Sequence, residues 1–339
     1  MSTASRRSPP ICVPMRVLIC AALACFSGAV QAQQKPGIGP SGYPAKPIRV
    51  IITSALGGGL NVVTRLVLDR LSVKLGTAFI ADVQSGGNGV IAARLAADAA
   101  ADGYTLMSSS NAFVINGVLK AVPFDIRQTF APVARMTTQY YLGFAHASVP
   151  VNSFRELVIY MKNNPGKLNF GSSGNGSVPH LGMEIIKGTL GVDVMHIPYK
   201  GNGPANVDLV AGRIQLLFGS LSVNQLVKTG QVKMIAVMSP SRLPQYPDVA
   251  TVAESGLPGF DLSNTYTIYA PIKTSPAIVA GLNREIAQIV NSPEMKKTFA
   301  ANSSEASPPS TIDELRKLFL AEYDKWDKVV KTANIKMEE

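Results

Sequence analysis

Short apolar runs alternate with longer amphipathic stretches along most of this chain of 339 residues. In the first half, the apolar runs predict strands at Ile48–Ile52, Phe79–Val83 and Tyr104–Met107. Between the first two strands, the segment from about Asn61 to Leu75 repeats apolar residues on one helical face, and Gly76 ends it. Strands that alternate with helices in this way predict a parallel α/β sheet.

The same alternation starts again after an extended run, Ala131–His146, which we predict to pass from one domain to the next. A short strand, Leu168–Phe170, and a helix, Val178–Leu190, flank a loop of glycines and serines. Further strands are predicted at Val194–Ile197, Ile214–Phe218 and Val232–Met238. A second extended run, Tyr266–Pro271, crosses back to the last helices. Two α/β units with two crossings predict a hinged cleft, lined by the loops at the strand ends.

Capping residues mark several of the helix starts. Ser153 with Glu156, and Thr311 with Glu314, have the spacing of capping boxes. The only tryptophan, Trp326, lies on the apolar face of the last helix. We therefore predict that Trp326 belongs to the core rather than to a ligand site.

The N-terminal residues do not fit this alternation. Three arginines precede the apolar run Val17–Ala24, and Val30-Gln31-Ala32 has the small residues of a cleavage site. This pattern is typical of a secretory signal peptide. The apolar run is too short and too interrupted for a transmembrane helix. We expect residues 1–32 to be a signal peptide cleaved after Ala32, residues 33–42 to be a linker, and the mature protein to be periplasmic.

Composition narrows the classes of function. The net charge of +10 falls to +7 without the three arginines of the predicted signal, and a positive surface favours anionic ligands. All three cysteines lie in that signal, which excludes disulfides and cysteine metal sites from the mature chain. The three histidines lack metal-ligand spacing, so we expect no metal and no cofactor. No basic run is interleaved with aromatic residues, and we expect no nucleic-acid partner.

Loops rich in glycine and serine carry the candidate chemistry. In Gly171–Ser177 every side chain is absent or small and neutral, so the backbone N–H groups of the following helix start stand open to an anion. Gly57–Gly59 and Gly86–Gly89 follow predicted strands in the same way. The run Gly87-x-Gly89-x-x-Ala92 is similar to a dinucleotide fingerprint, but it follows the second strand of a chain predicted to be exported. We therefore predict anion binding and not a nicotinamide cofactor.

A catalytic apparatus is hard to assemble from these residues. Ser172, Ser173 and Ser177 are candidate nucleophiles, but the sequence names neither a base nor an orienting acid for them. His180, in the first turn of the next helix, is equally compatible with orienting a ligand and with capping or packing. His196 lies within a predicted strand, and we interpret it as structural. We expect no enzyme activity; an exported hydrolase that uses Ser173 or Ser177 with His180 is an alternative.

Several motifs resemble those of the Bug family of periplasmic solute-binding proteins, the receptors of tripartite tricarboxylate transporters. They are Tyr43-Pro-x-Lys-Pro-Ile-Arg49, Gly57–Gly59, Asp102–Leu106, Asn164–Phe170, Gly174–Ser177 with His180, His196–Gly201 and Gly256–Phe260. The resemblance covers nearly the whole mature chain in order. It implies a two-lobed α/β binding protein of type II, a Venus flytrap in which helices flank a mixed, mostly parallel sheet in each lobe. Lobe 1 is expected at residues 43–146 and 259–339, and lobe 2 at residues 147–258.

The resemblance also implies that loops of both lobes hold a carboxylate-bearing solute. The ligand-binding residues expected in lobe 1 are Gly57, Gly58, Gly59, Asn61, Gly86, Gly87, Asn88, Gly89, Ser110 and Asn111. Those expected in lobe 2 are Ser172, Ser173, Asn175, Ser177, His180, Asn202 and Ser220. The first loop departs from the family pattern, because Ser54, Leu56 and Asn61 replace the usual Phe, Pro and Asp. The departure affects the identity of the ligand more than the fold.

The function that the resemblance implies is that of a monomeric receptor. It would take a small organic acid to the integral-membrane permease subunits of a tripartite tricarboxylate transporter. A sensory module that docks on a membrane kinase is an alternative that the sequence leaves open.

Overall fold

The computed structural model describes residues 37–39, 42–54, 56, 58–86, 89–219, 224–301 and 304–332. The predicted signal peptide, residues 1–32, and most of the predicted linker lie outside these residues. Among the helices of the described residues, none combines the length and apolar character that crossing a bilayer requires. The described chain forms two sheets flanked by helices, which confirms the predicted α/β fold.

Lobe 1 contains a six-stranded sheet with the order β11-β4-β10-β3-β1-β2. Its strands are β1 (Ile48–Ile52), β2 (Phe79–Val83), β3 (Thr105–Ser109), β4 (Phe130–Tyr140), β10 (Ser263–Pro271) and β11 (Ser304–Ala306). β1 is parallel to β2 and β3, whereas β10 is antiparallel to both β3 and β4. All nine residues of β10 are buried, because this strand lies in the middle of the sheet.

Lobe 2 contains a five-stranded sheet with the order β7-β6-β8-β5-β9. Its strands are β5 (Leu142–His146), β6 (Asn169–Ser172), β7 (Met195–Pro198), β8 (Leu216–Gly219) and β9 (Val232–Val237). β6 is parallel to β7 and β8, and β5 is antiparallel to β8 and β9. Both sheets are therefore mixed, with parallel strands on one side and antiparallel strands on the other.

The chain crosses from one sheet to the other at Tyr141. β4 ends at Tyr140 in the first sheet, and β5 begins at Leu142 in the second. From the sequence, the whole run Ala131–His146 is expected in lobe 1, but Leu142–His146 pairs with β8 and β9 of the second sheet. Apart from this strand, the expected division of the chain into lobes stays a prediction.

Eleven helices of the described residues cover the sheets. They are α1 (Gly59–Leu75), α2 (Val90–Ala97), α3 (Asn111–Val118), α4 (Ile126–Thr129), α5 (Phe154–Asn163), α6 (Val178–Leu190), α7 (Asn202–Val210), α8 (Asn224–Lys228), α9 (Pro276–Val290), α10 (Pro293–Ala300) and α11 (Ile312–Thr332). At α5, Glu156 N donates to Ser153 Oγ (3.2 Å), but Glu156 Oε2 accepts from Asn152 N (2.8 Å) instead of Ser153 N, so only the serine half of the predicted capping box is formed. The predicted capping box at α11 is confirmed. At α11, Glu314 N donates to Thr311 Oγ1 (3.2 Å), and Thr311 N donates to Glu314 Oε2 (2.7 Å).

One apolar cluster extends through both lobes. It includes Met107 of the first sheet, Phe218 of the second, Phe113 of α3, Leu181 of α6 and Trp326 of α11. The long helix α11 packs against α3 in lobe 1 and against α6 in lobe 2. Trp326 is fully buried in this cluster, which confirms that it belongs to the core.

Candidate functional site

A cleft of about 840 Å³ opens between the two lobes. Its described lining residues are Thr53, Ser54, Gly59, Leu60, Ser85, Gly86, Ser110, Ala112, Gln139, Tyr141, Ser173, Lys200, Gly201, Asn202, Asn264 and Tyr266. The volume is in the range of sites that enclose small molecules. Residues from both lobes contribute, so a molecule in the cleft would contact both lobes.

The ends of parallel strands place most of the lining. Thr53 and Ser54 follow β1, Ser85 follows β2, and Ser110 follows β3. On the opposite side, Lys200 follows β7. Parallel strands leave their carboxyl ends at one edge of a sheet, which is where ligands of α/β proteins bind.

Three helices begin at the cleft. α1 starts after Gly58 and α7 after Gly201, and neither glycine has a side chain that could cap the helix. At α3, the hydroxyl of Ser110 accepts a hydrogen bond from Ala112 N at 3.4 Å. The first N–H groups of an α-helix have no partner within it, and the helix dipole adds a partial positive charge there. α1 and α3 in lobe 1 and α7 in lobe 2 thus direct positive potential into the cleft.

Lys200 gives the cleft a full positive charge. It is exposed, and no ion pair or hydrogen bond of its side chain occurs within the described residues. The described lining contains neither aspartate nor glutamate. The electrostatic character of the cleft therefore favours an anion.

Tyr266 and Gln139 form the floor beneath the start of α1. Tyr266 Oη donates a hydrogen bond to Gln139 Oε1 at 2.7 Å. A Cβ atom added at Gly59 would lie 2.8 Å from Tyr266 Oη, so a glycine is needed for α1 to begin this close to the phenol. Burial raises the pKa of Tyr266 above its usual value, which keeps the hydroxyl protonated as a hydrogen-bond donor.

Two polar atoms at the cleft have no partner among the described residues. They are Ser54 Oγ in lobe 1 and Asn202 Oδ1 in lobe 2, and both are buried. A buried polar atom without a hydrogen bond costs free energy. Because both atoms are shielded from solvent, a ligand group could reach them only after the surrounding groups move.

Five of the expected ligand-binding residues meet at this cleft. They are Gly59, Gly86, Ser110, Ser173 and Asn202. Gly58 and Gly89 flank it as the N-cap residues of α1 and α2, and Asn61 is buried in the first turn of α1, where its Oδ1 accepts from Arg65 Nε. The remaining lobe 1 glycines and asparagine, and one lobe 2 serine, lie outside the described residues: Gly57, Gly87, Asn88 and Ser220.

Asn111 is placed away from the lining. Its Nδ2 donates to Ser263 O and to Glu322 Oε1, both at 2.9 Å, and its Oδ1 accepts from Thr265 Oγ1 at 2.6 Å. The side chain is buried and joins α3 to β10 and α11. It therefore supports the wall of the cleft from behind.

The loop Gly171–Ser177 brings only Ser173 to the lining. Ser172 is fully buried, Ser177 caps α6 by accepting from His180 N at 3.5 Å, and Asn175 is half-buried. The ring of His180 stacks on that of His196, with centroids 3.9 Å apart. This loop thus lies mostly behind the surface of the cleft.

The other lining residues are not among those expected from the sequence. Lys200 and Gly201 carry the same signal as the expected loops, since glycine follows a strand and precedes a helix. Gln139, Tyr141, Asn264 and Tyr266 lie on or next to the two crossings, where nothing local indicates which side chains face the cleft. Only the pairing of β4 with β10 brings them together.

Nothing in the donor set indicates a metal site. Within the described ranges there is no group of three or more histidine, cysteine, aspartate or glutamate side chains that could hold a metal ion. The groups that the candidate site offers to a ligand are therefore amides, hydroxyls, phenols and a single ammonium group.

Two α/β lobes, joined by two crossings and separated by a cleft at their strand ends, define the class of periplasmic solute-binding proteins. The chain belongs to the family of tripartite tricarboxylate transporter receptors, TctC, whose model matches residues 63–335. It is similar to protein BugT of Bordetella pertussis, with 31% identity over 301 residues that cover 87% of this chain and 92% of that one. The predicted membership of the Bug family is therefore confirmed.

Solved structures support the same assignment. A protein of R. palustris solved with adipate is 30% identical, with a TM-score of 0.76, and the match covers 87% of this chain and 99% of that one. MatC from Rhodopseudomonas palustris, solved with bound malate, is 27% identical, with a TM-score of 0.74 over 85% of this chain and all of that one.

Proposed function

We propose that this chain is a periplasmic receptor that binds a small carboxylate-containing organic solute in the cleft between its lobes. The observation that carries the proposal is the electrostatic character of the cleft. The starts of three helices and Lys200 line it, and its described residues include no acidic side chain. Such a site stabilises an anion through backbone amides and one charged partner.

The distribution of donors favours a solute with two acidic ends. Lobe 1 offers the starts of α1 and α3, and lobe 2 offers the start of α7 with Lys200. Between them, Leu60, Ala112 and Tyr141 provide apolar surface for a carbon chain. Relatives solved with adipate and with malate bind molecules of this kind. We propose that a dicarboxylate bridges the lobes and favours their closed arrangement.

The proposed binding residues are the described lining residues of the cleft. Gly57, Gly87, Asn88 and Ser220 remain part of the proposal from the sequence. We assign Asn111, Ser172, Asn175, Ser177 and His180 to the support of the cleft and not to direct contact, because the described lining does not include them.

We propose that the loaded receptor delivers its solute to the permease subunits of a tripartite tricarboxylate transporter. Membership of the receptor family supports this partner, and the periplasmic relatives support export. Cleavage after Ala32 is proposed from the sequence alone. Passing membrane extract over the immobilised, ligand-loaded protein tests it. Recovery of permease subunits supports delivery, whereas recovery of a sensor kinase supports the sensory alternative.

The arrangement of the serines gives no support to hydrolysis. Ser177 Oγ accepts from the backbone N–H of His180 and thus serves as the N-cap of α6. The Nδ1 atom of His180 accepts from Gly176 N at 3.1 Å. The family and the fold are those of solute-binding proteins and not of enzymes.

The decisive experiment is a ligand screen with a matched pair of variants. We expect a small mono- or dicarboxylate, with adipate and malate as first probes, to raise the melting temperature and to give a binding isotherm by calorimetry. Lys200→Met should weaken binding by about tenfold to a hundredfold, since it removes one charged hydrogen-bond partner. Lys167→Met, an exposed change elsewhere in lobe 2, serves as the control.

Two results would contradict the proposal. One is the absence of any shift or isotherm across a broad panel of organic acids. The other is equal loss of affinity in the Lys200 and Lys167 variants, which would place the ligand outside the cleft.

A further inference from the structure

Two histidine rings lie directly behind the loop Gly171–Ser177. His180 is in the first turn of α6, and His196 is on β7. The two rings are stacked, with centroids 3.9 Å apart and planes inclined by 10°. Both rings are half-buried, and neither residue lines the cleft.

His196 holds the first part of the loop through a serine. His196 Nε2 lies 2.7 Å from Ser172 Oγ. The same Oγ accepts from Gly174 N at 3.1 Å and lies 3.0 Å from Gly174 O. The imidazole of His196 thus holds the side chain of Ser172, whose Oγ is hydrogen-bonded to both N and O of Gly174.

His180 holds the second part of the loop directly. Its Nδ1 accepts a hydrogen bond from Gly176 N at 3.1 Å. An accepting Nδ1 carries no proton, so the ring has its proton on Nε2. Gly174 and Gly176 have φ angles of 132° and 70°, which other residues rarely adopt. The two rings therefore provide hydrogen bonds to a loop in which two glycines have positive φ angles.

Ser173 lies between Ser172 and Gly176, the two residues that the histidine rings contact. It is the residue of the loop that lines the cleft. The loop also lies close to the other lobe, because a Cβ atom added at Gly176 would lie 3.1 Å from Leu119 Cδ1. A change in the path of residues 172–177 would move the Ser173 hydroxyl and alter this spacing between the lobes.

The surroundings keep His196 uncharged near neutral pH. Burial lowers its pKa, and the neighbouring His180 and Lys187 lower it further. Lys187 is itself paired with Glu184 at 2.8 Å. On the strand side, the ring of Phe170 lies 6.2 Å away. A neutral ring can stack closely on His180 without repulsion between two cations.

We propose that His180 and His196 are positioning residues, which hold the loop that presents Ser173 to the solute without contacting the solute themselves. This inference rests on the proposed function, because it needs a solute in the cleft. The rings act through the two hydrogen bonds to the loop, and the stacking keeps the rings in place.

Two variants of His180 separate the hydrogen bond from the ring. His180→Phe keeps a ring that can stack but removes the acceptor for Gly176 N. His180→Asn removes the ring but keeps an oxygen at a similar position. We expect amide exchange at Gly176, followed by nuclear magnetic resonance in the absence of solute, to rise by about fivefold to tenfold in His180→Phe. In His180→Asn the exchange should return close to that of the wild type.

Affinity for adipate and malate provides the second readout. We expect the dissociation constant to rise by about tenfold in His180→Phe and to recover in His180→Asn. Rescue by an acceptor without a ring would not follow from a role in packing alone. Ser172→Ala, which removes the link between His196 and the loop, should accelerate exchange at Gly174 and weaken binding, and it keeps the test decisive if His180→Phe does not fold.

The possible failures differ for this inference and for the function on which it rests. The inference is overturned if amide exchange is unchanged both at Gly176 in His180→Phe and at Gly174 in Ser172→Ala. It is also overturned if exchange becomes faster but the affinity for the solute is unchanged. If the wild-type protein binds no carboxylate, the proposed function fails, and the positioning of Ser173 for such a solute fails with it.

Discussion

At the scale of residues, the candidate site consists mainly of small side chains and backbone groups. Gly59 allows α1 to begin against Tyr266, and Gly201 leaves the start of α7 uncapped. The expectation of glycine-rich strand-end loops came from the sequence. Lys200 also stood in such a loop, but only its placement opposite the lobe 1 loops identifies it as the charged partner.

The half-buried imidazole of His196 predicts a dependence of stability on pH. Burial first, then His180 and Lys187, lower its pKa from the usual 6.5 to about 4. Between these two values the unfolded chain binds a proton here that the folded chain does not. The free energy of unfolding should therefore fall as the pH drops from about 6.5 to about 4. Below about pH 4, protonation of His196 should cause no further loss of stability.

The contribution of His196 to this pH dependence can be measured by denaturant unfolding. The wild type and His196→Gln are compared at pH values from about 7 to about 4.5. We expect the variant to lose less stability than the wild type over this pH range. Equal losses in the two proteins would show that His196 does not contribute.

At the scale of elements, helices with one apolar and one polar face were predicted well from the sequence. A helix that is buried on nearly every side was not predicted. The predicted bounds of α6, Val178–Leu190, agree with the structure, and Gly191 ends it at a φ of 63°. The helix α3, in which seven of eight residues are buried, was not predicted from the sequence. A helix that is buried on nearly every side has no polar face, so its period cannot be recognised. The strand β11 was missed because it has only three residues.

Two glycines of α6 should respond to alanine in opposite directions. A Cβ atom at Gly182 would lie 2.5 Å from Leu262 Cδ2, whereas one at Gly188 would meet nothing within 4 Å. We expect Gly182→Ala to destabilise the protein by about 1–3 kcal/mol through overpacking. Gly188→Ala, on the exposed side, should stabilise it by about 0.5–1 kcal/mol through its higher helix propensity. Urea unfolding measures both, and equal effects would contradict this account of the packing.

At the scale of the whole molecule, the lobes share more than the two crossings. α11 packs on helices of both lobes, and the apolar cluster is continuous between them. Glu322 on α11 accepts from Trp326 Nε1 at 2.6 Å and from Asn111 at the start of α3. The start of α3 borders the cleft through Ser110, so a chain of contacts leads from the cleft to the core.

This chain of contacts makes Trp326 a reporter of solute binding. It is the only tryptophan, so its emission can be followed without labels. We expect adipate or malate, whichever calorimetry shows to bind, to change this emission with the same dissociation constant. In Glu322→Gln the change should be smaller, because the link to Asn111 is weakened. Binding by calorimetry with unchanged emission would contradict the coupling.

The place of β10 in the first sheet also sets an order of events during synthesis. β10 pairs with β3 on one side and β4 on the other, although the whole second sheet is made between β4 and β10. The strands Leu142–Val237 of that sheet are contiguous in sequence and can pair as soon as they are made. In the first sheet, β3 and β4 each have an unpaired edge until the chain has been made as far as residue 271, the end of β10. Such distant pairing is slow and leaves strand edges open to other chains. The late arrival of one buried strand thus makes lobe 1 the part of a newly made molecule most exposed to aggregation.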